Sequence, residues 1–321
     1  MNVHLAIIDP QLDFCWPGLA ALGVDLNSPE WKVIEPILRT AIGPLLDDLV
    51  NPGKLYVPGA YEDMQRVAKM IEDKADKIAD IHITLDSHQI VDQAHPIWWK
   101  RASDGSRPSP FTILDVIGDK IMDLVPQADG SLQPGTDEYT TRFPSMMHKG
   151  GVTGDGSLGY LKALNDRGRF KHVVWPVHCE IGSFGHGIVP QLLEAVRTWQ
   201  DRFAVVNFVT KGSNIHTEHY GAVEAEVPDP SDDSTQVNTD LTDPFVEADM
   251  IGWAGEANTH CLITTFRGVA ANFPDPSHLR KCVVLTDACS PVPGFEAQWD
   301  QFVQEFKPKG VQFMTTADFL A

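Results

Sequence analysis

Short apolar runs alternate with amphipathic stretches along most of the chain. Val3 to Ile8, VHLAII, is a continuous apolar run of the kind a buried parallel strand requires, and Asp9-Pro10 ends it. Ile78 to Leu85, His172 to Val177, Phe203 to Val209, Val246 to Trp253, Cys282 to Thr286 and Val311 to Met314 read as further strands. Between them lie helical patterns. Over residues 31–50, Ile34, Ile37, Leu38, Ala41, Ile42, Leu45, Leu46 and Leu49 share one face, and Pro36 and Gly43-Pro44 are expected to bend or split the helix. Tyr61 to Asp73 reads as a second, more exposed helix. Ile188 to Trp199 and residues 296–306 read as two more. After Asn258 and Thr259, either of which can cap a helix, Ile263, Phe266, Val269 and Ala270 recur at helical spacing and put Cys261 in the first turn.

Alternating strands and helices predict an α/β fold with helices on both faces of a mainly parallel sheet. Two segments break the rhythm. Residues 100–170 are rich in Gly, Pro, Ser and Asp and read as an elaborated loop region with short helices at 112–124 and 158–164. Residues 224–243 are acidic and turn-rich, which predicts a solvated excursion or lid. The chain, 1–321, is therefore taken as a single domain with insertions near 100–170 and 223–248.

Composition narrows the function classes. A formal net charge of −19 argues against a nucleic-acid partner or an anionic membrane surface, both of which need basic patches. Hydrophobic residues make up 43% of the chain, enough for a substantial core, yet no apolar run approaches the roughly 18 residues of a membrane span. Five scattered cysteines, without paired close spacing, suit a reducing compartment. A soluble, cytoplasmic protein is expected.

Asp9, Lys211 and Cys261 each sit at or just past a strand end, where open α/β sheets build their sites. A carboxylate, an ammonium and a thiol together can carry acyl transfer: Asp9 as proton acceptor, Lys211 as electrostatic partner, Cys261 as nucleophile. The helix N-terminus is expected to favour the Cys261 thiolate. Taken singly, Asp9 also reads as a strand-end cap, Lys211 as a solvated charge and Cys261 as a small buried residue; their joint placement is what favours chemistry. Asp86 and His88 project to one side of an extended segment, and His178 lies beyond another strand end. Together they form a candidate ligand set for zinc or a similar divalent ion, with His95 as a further candidate.

Eight motifs in chain order then resemble one family: AIIDPQLDFCWPG (6–18), ITLDSHQ (83–89), WPVHCEIGS (175–183), TKG (210–212), EHYGA (218–222), GEANTHC (255–261), VVLTDAC (283–289) and MTTADFL (314–320). The chain resembles nicotinamidases, a branch of the isochorismatase-like cysteine hydrolases, over nearly its whole length. The resemblance implies a three-layer α/β/α fold and a cysteine amidohydrolase that cleaves nicotinamide or a related small amide to the acid and ammonia through a Cys261 thioester. It implies Asp9, Lys211 and Cys261 as the catalytic trio and one divalent ion, zinc by expectation, on Asp86, His88 and His178, without an organic cofactor. It also implies a cis peptide at Glu256-Ala257 and an oxyanion hole from the Ala257 and Cys261 backbone N–H groups. Phe14 matches an aromatic flanking the substrate, with Trp98 or Trp99 as a second wall. Homo-oligomers occur in the family, so self-association is one assembly it allows. The chain departs from the family pattern at Ser87 (usually aromatic), Glu256 (usually apolar), Thr259 (usually acidic) and in the longer Asp86–His95 spacing. If Glu256 faces the pocket, a cationic or amine-bearing substrate is favoured. Hydrolysis of another small amide or carbamoyl compound, and a catalytically silent scaffold, are the competing readings.

Overall fold

A computed structural model describes residues 1–143, 145–202 and 204–321. In chain order it forms β1 (Val3–Ile8), α1 (Leu12–Cys15), α2 (Pro29–Ile42), α3 (Leu45–Val50), α4 (Ala60–Lys74) and β2 (Asp80–Asp86). Then come β3 (Trp99–Arg101), β4 (Thr112–Ile117), β5 (Lys120–Pro126), β6 (Leu132–Thr141), α5 (Ser145–His148), α6 (Gly156–Asp166) and β7 (His172–Val174). The last stretch holds α7 (Pro190–Gln200), β8 (Asn207–Lys211), α8 (Thr239–Glu247), β9 (Met250–Gly255), α9 (Cys261–Asn272), β10 (Cys282–Leu285), α10 (Glu296–Phe306) and β11 (Gln312–Met314).

The central sheet is parallel, in the order β11-β10-β9-β1-β2-β8. Both its faces are covered, and β1 shows why its run is continuously apolar. Leu5 and Ile7 pack into one core layer with Ile81, Ile83 and the α4 residues Met64, Val67 and Ile71. Ala6 and Ile8 pack into the other, with Trp253 and the α9 residues Ile263, Phe266 and Val269. The fold is thus α/β with a parallel central sheet between helical layers.

Five local expectations are corrected. The helix expected over 31–50 splits at Gly43, and only its second piece reaches the core: Leu46 of α3 is fully buried, whereas α2 has no buried residue, and Val33 and Ile37 are 68% and 64% exposed. The expected exposed helix, α4, instead buries Tyr61, Met64, Val67, Ala68 and Ile71 against α7 and the sheet. Residues 112–124 form no helix; they are the β4–β5 hairpin of a second, antiparallel sheet ordered β3-β6-β5-β4-β7, which also claims the strand expected at 172–177. The region 224–243 is not wholly solvated either: Ala225, Glu226 and Val227 are buried and α8 packs Leu241 and Phe245 inward. The strand expected from Phe203 begins at Asn207, and Phe203 itself lies outside the described residues. Among the described residues no helix is long and apolar enough to cross a membrane, and the five cysteines are free and buried.

Candidate active site

The order β9-β1-β2-β8 brings four carboxyl ends side by side. From them come Cys261, Asp9, Asp86 and Lys211. Register pairs Ile8 with Gly255 and Asp86 with Lys211, so the polar residues emerge at one edge. Gly255 has φ +111, and a Cβ there would lie 2.1 Å from the Ile8 carbonyl; only glycine lets β9 end this close to Asp9. Gly212, at φ +84, leaves room for Asp86 and His88 in the same way.

Asp9 takes a positive φ of 43° directly after β1, which turns its carboxylate into the crevice. Thr84 fixes it twice: its hydroxyl donates to Asp9 Oδ1 at 2.5 Å and accepts from the Asp9 N–H at 3.0 Å. Lys211 Nζ lies 2.9 Å from Asp9 Oδ2, 3.1 Å from Asp86 Oδ1 and 3.8 Å from Cys261 Sγ. Cys261 is the first residue of α9 and 7% exposed. First-turn N–H groups lack intrahelical acceptors, and neither the Ala257 nor the Cys261 N–H is paired with a carbonyl among the described residues. The Glu256-Ala257 peptide is cis.

The electrostatics differ from the thiolate expected at a helix start. Burial pushes the Cys261 thiol well up, Lys211 opposes this, and Asp9 adds to it by accepting the thiol proton in a hydrogen bond. Burial also raises the Asp9 carboxyl, with Lys211 opposing. Lys211 moves well up although burial opposes its charge, because Asp86 and Asp9 outweigh desolvation. Burial thus favours the neutral thiol, and the Lys211 ammonium is what opposes protonation of the Asp9 carboxyl.

Asp86, His88 and His178 offer one ligand atom each within 4.8 Å of one another. His88 Nε2 and His178 Nε2 lie 3.2 and 3.3 Å from Asp86 Oδ2. On each imidazole the other nitrogen is already held: His88 Nδ1 by Asp92 at 3.1 Å, and His178 Nδ1 by the Pro176 carbonyl at 2.8 Å. His95 follows the same pattern, with Nδ1 on the Gln89 carbonyl at 3.0 Å. Its ring centroid stands 5.0 Å from that of His88, and the Nε2 atoms of both rings lack a hydrogen-bond partner among the described residues. Acceptors that hold Nδ1 and leave Nε2 turned inward are what a divalent-ion site needs, so the residues fit one. His4, Asp80 and His82 also cluster, at the opposite end of the sheet. There His4 Nδ1 and His82 Nε2 hydrogen-bond each other at 3.0 Å with rings 21° from parallel, so their lone pairs are used within the pair.

The cavity over Cys261 is lined by Phe14, Leu55, Trp175, His178, Glu218, Tyr220, Ala257, His260 and Val292, with Asp86 at its floor. It holds about 20 Å³, room for about one water, so a ring-sized molecule enters only if lining side chains move. Phe14 stands edge-on to His178 at 5.5 Å. The facing wall is not the expected tryptophan pair. Trp98 donates to Ser157 and Trp99 to the Gln93 carbonyl, both inside the second core beside the small sheet. Trp175, Tyr220 and His260 form the wall instead, with Trp175 Nε1 donating to the Tyr220 hydroxyl at 3.1 Å. Glu256 does not face the cavity: its carboxyl turns away and accepts from the Ser290 N–H at 3.0 Å. Ser87 meets His186 at 2.9 Å, and Thr259 accepts from Val292 N–H at 3.2 Å and contacts His260 Nδ1.

Besides the wall of Trp175, Tyr220 and His260, three polar residues of the site carry no signal in the sequence. Gln11 exchanges two side-chain hydrogen bonds with the Asp86 backbone, at 2.6 and 2.7 Å, and so fixes the ligand-bearing strand end. Asp92 orients His88. Glu218 is buried in the cavity wall with Oε2 unpartnered, and burial pushes its carboxyl up to about 7, Asp86 and Asp92 adding to it and His88 opposing. Lone polar residues in loops carry no spacing signal, which is why they were passed over.

No protein-family model matches the sequence, and no curated protein matches it. Solved structures do. The yeast nicotinamidase superposes with a TM-score of 0.54 at 16% identity, covering 97% of this chain and 99% of that one. Its complex with the inhibitor nicotinaldehyde gives 0.53 at 17% identity over 98% and 99%. The Acinetobacter baumanii nicotinamidase/pyrazinamidase gives 0.52 at 17% identity over 99% and 98%. The chain therefore has the nicotinamidase fold, the isochorismatase-like α/β arrangement that its motifs resemble.

Proposed function

We propose that the protein is a cysteine amidohydrolase that converts nicotinamide or a related small aromatic amide to the acid and ammonia. The observation that supports the reading best is the convergence of Asp9, Lys211 and Cys261 in one buried crevice beside Asp86, His88 and His178, under an aromatic-walled cavity. In this reading Asp9 accepts the Cys261 proton as sulfur attacks the amide carbon. The carbonyl oxygen becomes an oxyanion that the Ala257 and Cys261 N–H groups stabilise. Asp9 then passes the proton to the leaving nitrogen, the C–N bond breaks and ammonia departs. Water attacks the thioester with Asp9 again accepting the proton, the C–S bond breaks, and the acid leaves as the thiol is restored. Lys211 keeps Asp9 ionised between these transfers. A divalent ion on Asp86, His88 and His178, with His95 beside them, would supply a Lewis-acidic anchor for a ring nitrogen. Phe14, Trp175, Tyr220 and His260 would hold the ring by its faces and edges.

The test is ammonia release from nicotinamide by the purified protein, beside Cys261→Ala. Turnover that vanishes in the variant supports the reading. Turnover that persists in the variant removes Cys261 from the reaction, and no turnover on a panel of small aromatic amides discards the activity.

A further inference from the structure

The buried carboxyl of Glu256 stands where the resemblance leads one to expect an apolar side chain. It is fully buried, and it belongs to the turn that carries Ala257 and Cys261. That turn is laced to the segment after β10. Gly255 N–H donates to the Ala288 carbonyl at 2.9 Å, Asn258 N–H to the Ser290 carbonyl at 2.9 Å, and Val292 N–H to the Thr259 hydroxyl at 3.2 Å. Asn258 Nδ2 donates to the Cys289 carbonyl at 3.2 Å, and Glu256 Oε2 adds a further link by accepting the Ser290 N–H at 3.0 Å.

Behind Ser290 stands α4. The Ser290 hydroxyl donates to Asp63 Oδ2 at 2.6 Å, and Asp63 Oδ1 pairs with Arg66 at 2.5 Å. Glu256 Oε1 has no hydrogen-bond partner among the described residues, so the Ser290 N–H is the hydrogen bond that holds this carboxyl. Burial pushes the Glu256 carboxyl well up, and Asp63 adds to that while Arg66 opposes. Cys15 and Cys289, also nearby, are thiols whose own ionisation burial and Glu256 both disfavour.

We propose that Glu256 is a positioning residue: its carboxyl ties the Ala257–Cys261 turn to Ser290, whose hydroxyl is held by Asp63 of α4, and so holds the two N–H groups aimed at the oxyanion. The inference rests on the amidohydrolase reading for its consequence, but not for its geometry. A side-chain amide oxygen can accept the same Ser290 N–H; an aliphatic side chain cannot.

The experiment compares Glu256→Gln and Glu256→Ala by amide hydrogen exchange over residues 256–262 and by steady-state kinetics on nicotinamide. Glu256→Ala is expected to speed exchange of that segment about tenfold or more and to lower kcat about tenfold with KM within about twofold. Glu256→Gln is expected to restore both to within about threefold of the unmodified protein. Unchanged exchange in Glu256→Ala, or equal damage by Glu256→Gln, overturns the proposal. If the unmodified protein does not hydrolyse nicotinamide, the substrate reading fails alone and the exchange data decide this one. Should Glu256→Ala not fold, Asp63→Ala removes the acceptor that anchors the Ser290 hydroxyl to α4; faster exchange at 256–262 supports the link, and unchanged exchange overturns it.

Discussion

Lys211 stands 3.1 Å from Asp86, its register partner on the neighbouring strand, and this contact joins the two halves of the site. The same ammonium lies 2.9 Å from Asp9, so one buried cation separates two buried carboxylates. Asp86 is held well below the usual carboxylate range although burial opposes its charge, because His88 and Lys211 together outweigh desolvation.

Removing that cation should therefore damage stability as well as chemistry. Lys211→Met leaves Asp9 and Asp86 buried and facing each other, and breaking a buried pair costs about 3–5 kcal/mol. The expected outcome is a fall of that order in unfolding free energy, seen in denaturant titration, with activity lost by about a hundredfold or more. A variant as stable as the parent would show that the carboxylates do not depend on Lys211.

Alkylation should single out Cys261. Cys15, Cys179 and Cys282 have no exposed surface, whereas Cys261 lines the cavity. With the thiol pushed up by burial and by Asp9, labelling by iodoacetamide should be slow at neutral pH and quicken as pH rises. Peptide mapping after partial labelling reads both points. Fast labelling at pH 6, or labelling spread evenly over five cysteines, contradicts the neutral resting thiol.

Much of this was legible in the chain, and the reason is geometric. An apolar run ending in a polar residue locates a strand end, and in a parallel sheet strand ends converge; that alone groups Asp9, Asp86, Lys211 and Cys261. Side-chain direction beyond the strand end is not encoded that way. Glu256 is one residue past β9, yet tertiary packing turns it toward Asp63 rather than the cavity, and Trp98 and Trp99 are drawn into the second core while Trp175 takes the wall. Helical spacing likewise cannot say whether a partner exists: α2 has an apolar stripe and no core to meet. In 112–124, Ile113, Val116 and Ile117 mimic a helix, but Gly118-Asp119 sits between two alternating runs, with Gly118 at φ +64, and makes a two-residue hairpin turn.

The core beside the small sheet should be acid-labile through His172. This imidazole is fully buried against Trp99 and Tyr160, and burial lowers its pKa from 6.5 to about 4, a hydrogen bond to Gln93 opposing. The unfolded chain therefore takes up a proton below 6.5 that the folded chain refuses until about 4. Stability from this group is intact above pH 6.5 and falls as pH drops toward 4, by about 3 kcal/mol in all. Glu218 and Glu226, both raised to about 7 chiefly by burial, act in the opposite sense between pH 7 and 4.5. The difference between the parent and His172→Gln isolates the histidine. Relative to the parent, the variant's denaturant midpoint should shift upward on going from pH 7 to 4.5; an identical pH dependence in the two refutes the assignment.

Asp92 provides a test of the proposed ion site that leaves its three candidate ligand atoms in place. Its Oδ2 lies 3.1 Å from His88 Nδ1, and its Oδ1 accepts the Ala94 N–H at 2.9 Å, so it fixes the ring that turns Nε2 toward Asp86. An outer-shell carboxylate also makes the imidazole a stronger donor, and losing one typically costs about 10–100-fold in metal affinity. Asp92→Asn keeps the shape and weakens the acceptor. Zinc titration against a chromophoric chelator should therefore show affinity reduced by that factor, and zinc should raise the thermal midpoint of the variant less than that of the parent at equal concentration. Addition of a chelator should lower the parent's midpoint and leave a metal-free sample unchanged. If Asp92→Asn binds zinc as tightly as the parent, His88 is not held for an ion by Asp92, and the ion site must be sought in a different arrangement of these histidines.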